Sequence, residues 1–179
     1  SIKEGKWEKE RFKGTELSGE SLGILGLGKI GKEVAKRAKA FGMKILAYDP
    51  NVNSFEFAEM VGFETLIRNS DYITLHLPLT PKTKNLINKE VIDKMKDGVF
   101  IVNCARGGII DEKALCNALR SQKVRGAGFD VFEKEPPQNK ELLGLKNFIC
   151  TPHIGASTIE AQEKISKKVA EIAIELQKG

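Results

Sequence analysis

The stretch GLGKIG, residues 26–31, limits the folds open to this chain more than any other, because it sits between an apolar run and an amphipathic segment. Its glycines, Gly26, Gly28 and Gly31, follow the GxGxxG spacing. Gly26 allows a tight turn, Gly28 lets the backbone approach a pyrophosphate, and Gly31 allows a helix to pack close to a strand while its N-terminus faces the anion. The pattern alone is weak, but here a strand precedes it and a helix follows. A second apolar run ends in AYDP, placing Asp49 18 residues beyond Gly31. A carboxylate there can accept hydrogen bonds from adenosine ribose hydroxyls and repels a 2′-phosphate, so the spacing predicts NAD rather than NADP. The following PNVNSFEFAEM carries no Lys or Arg that would suit NADP. The plainer alternative leaves the glycines to helix packing and Asp49 to starting a turn before Pro50.

Short apolar runs recur at residues 22–26, 44–48, 72–76, 98–102, 126–130 and 147–151, each reading as a buried strand. Between them Ile30, Val34, Ala38 and Phe41 fall at helical spacing, as do Val91 with Met95 and Leu115 with Leu119. This alternation predicts an α/β fold of the Rossmann type, doubly wound, with a mostly parallel sheet and helices on both faces. The chain closes on a longer helix opened by STIE, where Ser157 and Glu160 have capping-box spacing, with Ile165, Val169, Ile172 and Leu176 as its apolar stripe. Two prolines in EKEPPQNK, 133–140, forbid regular structure there.

In an open parallel sheet, ligands bind beyond the carboxyl ends of the strands. Behind the six runs come Gly26–Gly31, Asp49, His76–Pro78, Asn103–Arg106, Asp130 and Thr151–His153, all at one edge. Moving a hydride to or from a carbon that bears oxygen needs a proton-transfer group and a cation for a substrate anion. The chain has two histidines. His153 is the better acid/base candidate, since an imidazole titrates near neutrality and Glu133 or Glu135 could orient it. His76 reads as a structural residue at a strand end. Arg106 offers a planar fork that suits a carboxylate bidentately, and its plainer reading is a surface ion pair with Asp111. Cys104 reads as a small apolar neighbour rather than a nucleophile, because no base adjoins it in sequence.

A chain of 179 residues, 41% hydrophobic and 30% charged, can bury one substantial core. Its net charge of +5 is spread over interspersed Lys and Glu, which argues against a nucleic-acid partner. Three cysteines at unrelated spacings predict neither a disulfide framework nor a metal site. The polar first residues and the absence of a long apolar run predict a cytoplasmic protein without a membrane partner. A start at Ser1 rather than Met reads as a piece cut from something longer.

TELSGESLGILGLGKIGKEVAKRAKAFGMKILAYDP, NCARGGIIDEKAL, GAGFDVFEKEPP and TPHIGAST together resemble the signatures of the D-isomer-specific 2-hydroxyacid dehydrogenases, and the resemblance covers nearly the whole chain. It implies NAD as cofactor and a small D-2-hydroxy acid as substrate. It implies that Arg106 clamps the substrate carboxylate and carbonyl, that His153 is the general acid/base, and that Glu135, which immediately precedes the proline pair, is its partner. At the cofactor it implies Gly26, Gly28, Lys29, Ile30 and Gly31 on the pyrophosphate and Asp49 on the adenosine ribose. Leu77, Pro78 and Thr83 would lie nearby, Leu77 through its backbone only, since a polar residue is common there. Cys104, Ala105, Arg106 and Asp130 would line the nicotinamide side, and His153, Gly155 and Ala156 would close the site, with no metal.

It further implies a homodimer formed through this domain, residues 1–14 as a segment leading out of a substrate domain, and residues 15–179 as the NAD-binding domain with its last helix leading back. Without that second domain, poor turnover is expected. A regulatory NAD(H)-sensing module, as in dehydrogenase-like corepressors, is the alternative from another class.

Overall fold

The computed structural model describes residues 1–177. Seven strands form one all-parallel sheet: β1 (Ser21–Leu25), β2 (Lys44–Tyr48), β3 (Glu59–Met60), β4 (Tyr72–Leu75), β5 (Val99–Asn103), β6 (Val124–Phe129) and β7 (Phe148–Cys150), ordered β3-β2-β1-β4-β5-β6-β7. The crossovers carry α1 (Lys29–Ala40), α2 (Phe63–Asn69), α3 (Lys89–Lys94), α4 (Glu112–Arg120) and α5 (Lys140–Leu143); α6 (Ile159–Leu176) follows the sheet. The order reverses direction between β1 and β4, so the loops after these neighbouring strands diverge and leave a crevice at their carboxyl ends.

Alternation along the strands divides the core in two. Leu22 and Ile24 of β1 join Ile45 and Ala47 of β2 beneath α1. Leu25 joins Ile73, Leu75, Val99 and Ile101 with the buried faces of the other crossover helices, among them Leu66, Ile92, Leu115 and Leu119. Helices therefore lie on both faces, but unevenly. Over β5 to β7 the α1 side of the sheet is open, and Val102 and Ile149 there are 39% and 73% exposed.

Several expectations are corrected. On α1, Ala38 is buried and Val34 packs against the core as expected, but Ile30 and Phe41 are exposed, and Gly31 and Ala35 complete the buried face. A helix that crosses a strand closely must present small residues, so Ile30 and Phe41 misled. Ser157 does not cap α6; Thr158 does, its hydroxyl accepting from the Ala161 amide, which shifts Glu160 out of the capping-box position. The apolar stripe of α6 is exposed, with no buried residue along the helix. β3, α2 and α5 were not anticipated, and β6 begins two residues before the expected 126. Asp111 caps α4 by accepting from the amides of Lys113 and Ala114, as its place before the helix suggests. Residues 1–14 hold two short 3₁₀ turns with no buried residue.

Candidate functional site

The glycine turn is built as its spacing demands. Gly26 has φ +94°, and a Cβ there would come within 2.7 Å of the His76 carbonyl oxygen. Gly31 packs against the carbonyl of Gly26 so closely that no side chain fits. By contrast, a Cβ on Gly28 would meet nothing within 4 Å, leaving open space above the backbone. α1 begins at Lys29 with no side-chain cap and no acidic residue in its first turn, so its N-terminal amides and positive dipole end face that space unneutralised. These features fit a pyrophosphate on Gly28, Lys29 and Ile30.

Asp49, next after β2, accepts from the Leu27 amide at 2.8 Å through one carboxylate oxygen and from the Asn51 amide at 2.8 Å through the other. It thus holds the glycine turn and starts a turn of its own, and each oxygen keeps a further lone pair for a ribose hydroxyl. Leu77 lies over Gly26, within 3.1 Å of a Cβ placed there. The Thr83 hydroxyl donates to the Pro78 carbonyl at 2.6 Å and accepts from the Thr80 amide at 2.8 Å, closing the loop beyond β4. His76 is half-buried with Nε2 3.1 Å from the Thr74 hydroxyl, and burial lowers its affinity for a proton. This geometry favours its structural role.

Beyond β5 the chain makes a tight turn through Cys104–Gly108. Arg106 is exposed; its Nη1 donates to the Ala105 carbonyl at 2.6 Å, and no ion pair joins it to Asp111 among the described residues. Gly107 lies directly on the backbone of Phe132 and Glu133, where a Cβ would be 2.5 Å from the Glu133 amide nitrogen and nearer still to the Phe132 carbonyl. The arginine turn and the Pro-rich loop are thereby in backbone contact. Desolvation, then the negative charge of Asp130, holds the Cys104 thiol above its ordinary range, which disfavours a thiolate nucleophile.

Glu135 on that loop meets His153 on the loop that follows β7. Glu135 Oε2 lies 2.8 Å from His153 Nδ1, and Oε1 accepts from the Phe132 amide at 3.1 Å. The hydrogen bond from His153 first, and that from Phe132 second, hold the Glu135 carboxyl below its usual range. The carboxylate fixes the imidazole through Nδ1, and among the described residues Nε2 has no hydrogen-bond partner. The choice left open between Glu133 and Glu135 falls to Glu135, while the Glu133 amide donates to Glu112. His153 has φ +53°, in the left-handed region.

Asp130 is buried at the end of β6. Burial pushes its carboxyl up, but hydrogen bonds from the Thr151 hydroxyl and from the amides of Ile154 and Gly155, with the charge of His153, together hold it down. It therefore clamps the loop that carries His153 and leads on to Ala156. A cavity of about 370 Å³ adjoins the pair, lined by Phe132, Pro136, Pro137 and Pro152 among others. Sequence reasoning assigned no role to Asn103 or Thr151. For Asn103 the available signal was an Asx residue between a strand and a turn.

All the expected site residues fall at the carboxyl edge of the one parallel sheet. No helix among the described residues is long and apolar enough to cross a membrane.

Comparison with known proteins agrees with this fold. The family model described as D-isomer specific 2-hydroxyacid dehydrogenase, NAD binding domain, matches residues 1–155. A D-3-phosphoglycerate dehydrogenase of Methanocaldococcus jannaschii is 55% identical over 177 residues, covering 96% of this chain and 34% of that protein. A hydroxypyruvate reductase of Thermotoga maritima is 56% identical over 175 residues, covering 96% of this chain and 57% of that protein. The crystal structure of D-lactate dehydrogenase from Aquifex aeolicus, complexed with NAD and lactic acid, superimposes with a TM-score of 0.91 at 34% identity, covering 99% of this chain and 58% of that one. The chain thus spans between a third and three-fifths of the length of these relatives.

Proposed function

The chain belongs to the D-isomer specific 2-hydroxyacid dehydrogenase family as its NAD-binding domain, and on that premise we propose that it supplies the cofactor site and the acid/base of an enzyme oxidising D-3-phosphoglycerate to 3-phosphohydroxypyruvate, the first step of serine biosynthesis. The observation that carries the reaction class is the 2.8 Å pairing of His153 with Glu135, which sits on the loop packed against the Arg106 turn.

In this reading Arg106 holds the substrate carboxylate through its planar fork. His153 Nε2 takes the hydroxyl proton as the carbonyl forms, and Glu135 stabilises the resulting imidazolium. NAD, when bound, supplies the carbon that accepts the hydride from C2. A second domain would provide the facing wall, excluding water and orienting the substrate, and a second copy would pair through this domain.

The choice of substrate is supported by the archaeal relative, and the Thermotoga relative favours a second reading, reduction of hydroxypyruvate or glyoxylate. Steady-state assays of the full-length protein with NAD and a panel of D-3-phosphoglycerate, D-glycerate, glycolate and D-lactate separate them. Under the first reading kcat/KM for the phosphorylated acid exceeds the others by about tenfold or more. A lead for D-glycerate or glycolate overturns it in favour of the second.

Cofactor choice gives a further test. In Asp49→Asn the carbonyl oxygen can still accept from Leu27 while the charge is gone, so the preference for NAD over NADP should narrow by about 10- to 100-fold in a calorimetric titration. An unchanged ratio removes Asp49 from the ribose.

A further inference from the structure

We infer that Asn103 is a positioning residue that presents Arg106 to the substrate. It is the last residue of β5 and only 1% exposed. Its side-chain oxygen accepts from the Ala105 amide at 3.1 Å, and its side-chain nitrogen donates to the Arg106 carbonyl at 3.0 Å. One amide therefore spans the turn from within, satisfying the buried amide donor of Ala105 and the carbonyl acceptor of Arg106. The backbone carbonyl of Asn103 accepts from the Asp130 amide at 3.0 Å, which ties the arginine turn to the residue holding the His153 loop. Gly107 fixes the far side of the turn against Phe132 and Glu133. The Cα of Arg106 is thus anchored from both sides, although among the described residues the guanidinium hydrogen-bonds only to the Ala105 carbonyl.

Few side chains of this size can do the same work. Aspartate matches the shape of Asn103 and still accepts from Ala105, but it sets an oxygen against the Arg106 carbonyl oxygen and forces the turn to open. Displacing a group by about 1 Å can cost about 100-fold in rate. The inference rests on Arg106 as the carboxylate clamp, and the experiment keeps the two apart.

Asn103→Asp, Arg106→Ala and the double variant are made in the full-length protein and assayed with D-3-phosphoglycerate and D-glycerate, with NAD affinity measured separately. We expect Asn103→Asp to raise KM for both hydroxy acids by about 10- to 100-fold while the Kd for NAD stays within about twofold. In the Arg106→Ala background the same change should add less than about twofold, because the group being positioned is already absent. Equal fold-losses in both backgrounds overturn the inference alone, as does an unchanged KM in Asn103→Asp. An unchanged KM in Arg106→Ala overturns the clamp together with the inference. Asn103→Ser removes both contacts with less bulk and should repeat the pattern where the aspartate variant fails to fold. Loss of NAD binding in both Asn103 variants assigns the residue to general stability and overturns its positioning role.

Discussion

Asn in place of His153 should lower kcat for hydroxy-acid oxidation in the full-length enzyme by about 10²- to 10⁴-fold, the range set by loss of a positioned acid/base. Asparagine is the informative replacement because it tolerates the left-handed backbone at this position better than most side chains. Oxidation of the hydroxyl requires an unprotonated imidazole to take its proton, so turnover of the parent enzyme has a limb that falls toward acid pH. That limb of the profile should disappear in the variant. Glu135 does not produce it: its carboxyl is held below its usual range by the hydrogen bonds from His153 and Phe132. A lowered carboxyl stays ionised there, and its stabilising contribution, present above the ordinary carboxylate value, is lost only as the pH falls through the lower folded value. A variant that keeps the parent limb removes His153 from the reaction.

Gly107→Ala should be the most damaging single methyl group at the site. The added carbon would overlap the carbonyl of Phe132 and sit 2.5 Å from the Glu133 amide nitrogen, and backbone atoms cannot rotate away as side chains can. Relief requires shifting residues 132–135, which carries Glu135 away from His153. Overpacking of this kind costs about 3 kcal/mol, a fall in Tm of about 6–12 °C for a chain of this size. Turnover should fall further than the lost stability explains. Gly28→Ala is the matched control: nothing lies within 4 Å of its added carbon, so it should melt like the parent yet bind NAD more weakly. Equal melting of the parent and Gly107→Ala would refute the contact.

Much of this was legible in the sequence, for specific reasons. Gly26 and Gly31 announce a turn that only glycine can make, and a parallel sheet gathers whatever follows each strand at one edge, so Arg106, Asp130 and His153 could be grouped from the sequence, while Glu135 was preferred to Glu133 only through the family resemblance. The α1 face was half misread because Gly31 and Ala35 bury little area each and yield a weak hydrophobic period, although their smallness permits the close crossing. β3 has two residues and α5 four, too short for any periodicity to register. Asn103 and Thr151 act through hydrogen bonds, one to backbone and one to a distant carboxylate, and such bonds impose no pattern on the surrounding sequence. The stripe on α6 was visible, but what a stripe packs against is not written in the stripe.

The open half of the sheet bears on engineering. Val102 and Ile149 stand in water on the strands beneath the most chemically dense loops of the molecule. Anyone adapting this chain as a stand-alone nucleotide-binding module would therefore begin there rather than at the site. Threonine at both positions keeps the branching that strands favour and reduces the sticky area, and it leaves untouched the interior-facing Ile101 and Phe148 that hold the loops in place.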